Sequence, residues 1–171
     1  MATNTNGSLT ITSQWRQTST DDNNAQNTVT DAGQLSYQKQ YASGTTSGTV
    51  NQIYNSVGSL SSGGALNFNL MALSQNILGN SFTKTFTGIN SITIENRSTR
   101  PDYNFTINVS SSSGFKEPYG YPTGVITMGP NSCVHVNVSH RDWPVSTGAR
   151  QILFTDGGSG AAYSMSIMGH N

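Results

Sequence analysis

Apolar residues recur at every second position along much of the chain. In SITIENRSTRPDYNFTINVSSSSG, residues 91–114, Ile92 and Ile94 alternate with polar neighbours. After a short basic turn, Phe105, Ile107 and Val109 do so again. A period of two marks a strand with one buried face. The same alternation places Leu9, Ile11 and Trp15 in a first strand and Leu35, Tyr37 and Tyr41 in a second. Val50, Ile53 and Tyr54 follow, then Leu66, Phe68 and Leu70, then Phe86 and Ile89 leading into Ile92 and Ile94. VITM (125–128) is a short strand and GPNS after it a turn. Val134, Val136 and Val138 alternate with Cys133, His135 and Asn137, so His135 is expected to point away from the core. Ile152 and Phe154, then Tyr163, Met165 and Ile167, close the series.

These runs predict about nine or ten strands bounded by Gly-, Pro- and Ser-rich turns. TSTDDNNAQNTVTDAG, residues 18–33, carries no such alternation and reads as a loop or arm. LMALSQNILG, residues 70–79, is the one segment whose spacing suits a short helical turn, ended by Gly79 and Asn80. One polar and one apolar face per strand implies antiparallel sheets on a shared core. Long irregular connections between short strands suit a jelly roll better than a meander. The expected fold is therefore all-β: an antiparallel β-sandwich, jelly-roll-like, of about eight to ten strands. Residues 1–50 are expected to form an N-terminal arm and first strands that reach neighbouring subunits. Residues 51–171 are expected to form the sandwich core.

Composition changes this picture in one direction. The 171 residues are 33% hydrophobic and only 9% charged, against about 25% charged in an average soluble chain. Serine, threonine, asparagine and glycine make up nearly half of the chain. The polarity is hydroxyl and amide, not ionic, and the formal net charge is zero. Arg16 is the single basic residue among the first thirty. A nucleic-acid sheath neutralises phosphates with clustered Lys and Arg, so direct nucleic-acid binding is not expected. Near-zero charge gives little self-repulsion and tolerates close association with copies of the same chain. Cys133, the only cysteine, allows no intrachain disulfide and is expected to pack as a small apolar side chain. MATNTNGSLT lacks the apolar run of a secretory leader. No stretch has the length of a membrane-spanning helix. Both predict synthesis in a cytosol and no membrane partner.

Candidate chemistry is sparse. His135, His140 and Asp142 suggest a metal site, but a zinc ion needs three or four converging ligands. His140 and Asp142 lie beyond the strand that carries His135, so no metal is expected. No G-x-S-x-G elbow occurs in a strand–turn–helix setting. Glu95 and Glu117, the only glutamates, adjoin turns and do not form an acid pair. SSGG and DGGSG lack the lysine and helix of a phosphate loop and read as turns. The densest charge group is Arg97, Arg100 and Asp102; Arg141 and Trp143 are of the same interface-forming type. Tyr119 and Tyr121, with Tyr103 and Trp143, are the residues for an aromatic sugar-stacking platform. No catalytic residue and no cofactor are expected.

The order of the pieces from residue 64 to 169 resembles small single jelly-roll virion proteins of bacteriophages. The resemblance lies in an L-x-x-L segment before a glycine and in F-x-x-I-x-x-I-x-I-x-N beginning at Phe86. It extends to the strand after GVITMGP, the W-x-V turn at Trp143 and the closing Y-x-x-x-I-x-G at Tyr163. The resemblance implies a head decoration (cement) protein or small capsid subunit with no catalytic residues. The implied partners are other capsid proteins and copies of itself, as a trimer or higher homo-oligomer within the virion. The alternative is a carbohydrate- or receptor-binding module of a phage fibre or spike. Arg97, Arg100, Asp102, Arg141, Trp143, Tyr119 and Tyr121 are the interface candidates under either reading.

Overall fold

The computed structural model describes residues 7–21, 24–77, 79–108, 112–119, 125–138 and 141–171. The chain divides into two compact units, one formed by Ser8–Tyr41 and the other containing Ala42–Asn171.

The smaller unit is a ribbon. Strand β1 (Gly7–Asp21) pairs with β2 (Asn24–Tyr41) in a two-stranded sheet. Both strands run through the polar segment 18–33, which the sequence presents as a loop. Hydrophobic alternation is the signal that marks a strand in sequence, and residues 18–33 carry none of it. Gln14 Nε2 donates to Gln34 Oε1 across the ribbon at 3.2 Å. The Lys39 ammonium lies 5.7 Å from the centre of the Tyr41 ring, and Ile11 and Tyr37 are exposed.

The larger unit is an antiparallel β-sandwich. Its strands are β3 (Gln52–Ser59), β4 (Ala65–Asn69), β5 (Leu73–Ile77), β6 (Asn80–Lys84), β7 (Gly88–Asn96) and β8 (Phe105–Asn108). They continue as β9 (Val125–Met128), β10 (Cys133–Asn137), β11 (Trp143–Pro144), β12 (Gln151–Asp156) and β13 (Ala162–His170). One sheet has the order β10–β7–β13–β3, with β11 also on β7; the other has the order β4–β12–β8–β9. The chain crosses between these sheets from β3 to β4, β7 to β8, β9 to β10, β11 to β12 and β12 to β13, and returns from β4 to β7 by way of the β5–β6 hairpin. Two four-stranded layers exchanged in this way have the connectivity of a jelly roll.

Strand parity explains the core. Ile167 stands opposite Ile92 and Met165 opposite Ile94 in the first sheet, while Phe154 stands opposite Ile107 in the second. These six are buried, as are Phe105 and Ile152. Phe154 is the hub of an aromatic cluster, with ring centres 5.0 Å from Phe68, 5.0 Å from Phe105 and 5.4 Å from Tyr163. Removing such a ring costs roughly 3–5 kcal/mol. Val109 lies outside the described residues.

Two expectations are corrected here. LMALSQNILG is not helical: β5, Leu73–Ile77, lies within it and pairs with β6 in a hairpin. Gly79 sits at φ 82°, the left-handed conformation that serves a tight hairpin as well as a helix end. The second correction is Cys133, which is exposed. It stands opposite Glu95 on the outer face of the sheet, the parity opposite to Val134. Desolvation, then the Glu95 charge, raises its pKa, which disfavours the thiolate.

Candidate functional site

The sandwich has two ends, and each carries a carboxylate held by turns. At the end where β12 passes into β13, Asp156 is 7% exposed. Its two oxygens accept from the backbone N–H groups of Gly63 (2.9 Å), Gly158 (2.8 Å), Gly160 (3.0 Å) and Ala161 (2.9 Å). The glycine-rich turns SSGG and DGGSG, unremarkable in sequence, meet around this side chain. Burial works to raise its pKa, but the four N–H donors outweigh that and lower it to about 2. Next to it, buried Asn96 donates through Nδ2 to the carbonyls of Tyr103 and Met128, both at 2.9 Å, and accepts the Ser98 N–H at 3.0 Å.

At the opposite end, Asp142 and His170 meet. His170 Nε2 and Asp142 Oδ2 are 2.6 Å apart, with side chains 9% and 17% exposed. Ser47 Oγ donates to Asp142 Oδ1, and the Asp142 N–H returns a bond to Ser47 Oγ at 3.2 Å. On the far side of the ring, His170 Nδ1 is 3.2 Å from Thr87 Oγ1. Four segments distant in sequence thus converge. Gly88 makes the approach possible: a Cβ there would run into the Asp142 carboxylate and the His170 ring. Desolvation acts to raise the Asp142 pKa, but the hydrogen bonds from Ser47 and His170 prevail and hold it below the usual value.

Hydroxyl, imidazole and carboxylate in this order are the parts that activate a nucleophile. One observation favours a structural role. Thr87 Oγ1 is also 3.3 Å from the His170 carbonyl, which accepts its proton as the ring can. Two clefts are described on the sandwich. The larger, about 510 Å³, lies on the outer face of the five-stranded sheet among Asn55, Val57, Thr93, Glu95, Ser164 and Ser166.

The residues singled out from sequence are distributed between the two ends. Arg100 and Asp102 form an exposed ion pair of 3.7 Å, and the Arg100 guanidinium stacks 4.9 Å from the Tyr103 ring centre. Arg97 is exposed in the same turn, after β7. Trp143 lies at the other end of that strand, paired with Ile89 and packed against the core. Exposed Arg141 precedes it. The length of β7, about 25 Å between these positions, separates the two groups. Tyr103 and Trp143 therefore share no platform. Tyr119 closes a 3-10 turn with Glu117; its side chain, Tyr121 and His140 lie outside the described residues.

His135 faces outward as parity required, with Nδ1 2.7 Å from Thr93 Oγ1, and desolvation lowers its pKa. It stands in a different strand and on a different contact from Asp142, whose partner is His170. Among the described residues no three His, Cys, Asp or Glu side chains gather as metal ligands. Asp156 and His170 were not singled out in sequence. DGGSG after an apolar strand was the available signal for the first; for the second there was none, because its partner lies 28 residues away. No family model, curated protein or solved structure matches the chain.

Proposed function

We propose that the chain is a structural virion protein, a capsid decoration protein or small capsid subunit, acting through contacts with copies of itself and with other shell proteins. The observation that carries this reading is the long two-stranded ribbon, 15 and 18 residues, forming a compact unit of its own. An isolated two-stranded hairpin is marginally stable in water, so a partner strand or sheet edge is what gives such an element a purpose. The low charge of the chain suits a protein tiled against neighbours. Jelly rolls build viral capsid domains, which adds support at the level of fold analogy. Electron microscopy of particles from the source, with this chain located by a tag, tests the reading. Copies ordered on the shell are the expected result; particles that lack the chain overturn it.

A further inference from the structure

We infer that Asp142 is the pin of a clasp that locks residues 42–50, the segment joining the ribbon to the sandwich, onto the end of β13. Residues 42–50 close on themselves. Val50 N donates to Ala42 O at 2.9 Å, and Thr49 N to Thr46 O at 3.0 Å. The base of this loop is fixed by buried Val50 and by Asn51 N, which donates to Gly169 O at 3.0 Å. Its tip, Thr45–Ser47, is exposed. Among the described bonds, the reciprocal Ser47–Asp142 pair ties that tip to the rest of the sandwich. Asp142 can serve as a pin because it is itself held: His170 Nε2 grips its second oxygen, and Thr87 N fixes His170 through its carbonyl at 2.8 Å.

Among the described residues, His170 is the titratable group that bonds to the pin. The loop 43–48, Thr87–Gly88 and Trp143–Pro144 contribute none, and neighbouring Arg141 is exposed. The hydrogen bonds from Ser47 and His170 hold the Asp142 carboxyl below its usual value, so the Asp142 side of the clasp weakens as pH falls through that lowered pKa.

The role of the clasp rests on the assembly reading: a loop held in one conformation meets a neighbouring copy without the entropy of ordering it first. Ser47→Ala in the full chain removes the loop side of the clasp and leaves Asp142 and His170 in place. Hydrogen exchange at the Thr49 and Val50 amides is expected to quicken about tenfold or more, the equivalent of one charge-assisted hydrogen bond. Exchange at Asn96, at the opposite end, is expected to be unchanged. Self-association of the same variant is expected to weaken by about tenfold in Kd. Asp142→Asn provides a second variant with the same local signature. Unchanged exchange at Thr49 and Val50, or acceleration equal to that at Asn96, overturns the clasp. Local acceleration with an unchanged Kd overturns its role in assembly. A wild-type chain that never self-associates sinks the assembly reading and with it that role, while the exchange result still decides the clasp.

Discussion

Asp156 and Asp142 close opposite ends of one sandwich, and they are stabilised by different means. Asp156 is surrounded by four backbone N–H groups from two glycine-rich turns. Asp142 leans on two side chains, Ser47 and His170, from distant segments. Backbone donors cannot turn away or lose their protons, so the first arrangement holds its turns rigidly. Side-chain donors rotate, and breaking one frees a segment without unfolding the sheet. The contrast assigns the Asp156 end to stability and the Asp142 end to holding the loop 42–50.

The largest effect is expected at Asp156. Asp156→Ala leaves four N–H groups, one of them on buried Ala161, without their acceptor and is expected to cost roughly 3 kcal/mol, read from the urea midpoint at pH 7. The same residue sets the acid limit. Its folded pKa of about 2 lies below the unfolded value of 3.8, so its stabilisation is full above that value. It is lost as pH falls from near 4 through 2, by about 2 kcal/mol. Asp156→Asn is expected to flatten that part of the stability–pH profile, and an unchanged acid slope would remove Asp156 from its place as the main acid-sensitive group.

Gly88→Ala sharpens the comparison from the other side. The added methyl displaces the Asp142–His170 pair and is expected to cost about 1–3 kcal/mol, with spectral shifts at Ser47 and Thr87 and none at Asn96. Asp142→Asn keeps shape but not charge, and is expected to cost about 1–2 kcal/mol. Arg100→Ala, at an ion pair whose side chains are 66% and 57% exposed, is expected to change stability by less than about 0.5 kcal/mol.

The sandwich was legible because its strands each bury one face. Ile92, Ile94, Phe105 and Ile107 declare that face by parity, and the structure buries all four. The ribbon was only half legible, since β1 and β2 continue into residues 18–33, whose sequence carries no apolar alternation. At LMALSQNILG the apolar spacing fits a helix and a hairpin alike, and pairing with β6 decides between them. The carboxylate sites were illegible for a third reason. Their partners are set by which strand ends meet, so Asp142 pairs with His170 and not with the histidines nearest to it in sequence.

Sedimentation velocity over a range of concentrations, on the full chain and on a chain lacking Ser8–Tyr41, tests most directly whether this protein works by assembling through its ribbon. The expected result is a trimer or larger species for the full chain and a folded monomer for the shortened one. A full chain that stays monomeric at high concentration, or a shortened chain that assembles equally well, would contradict it.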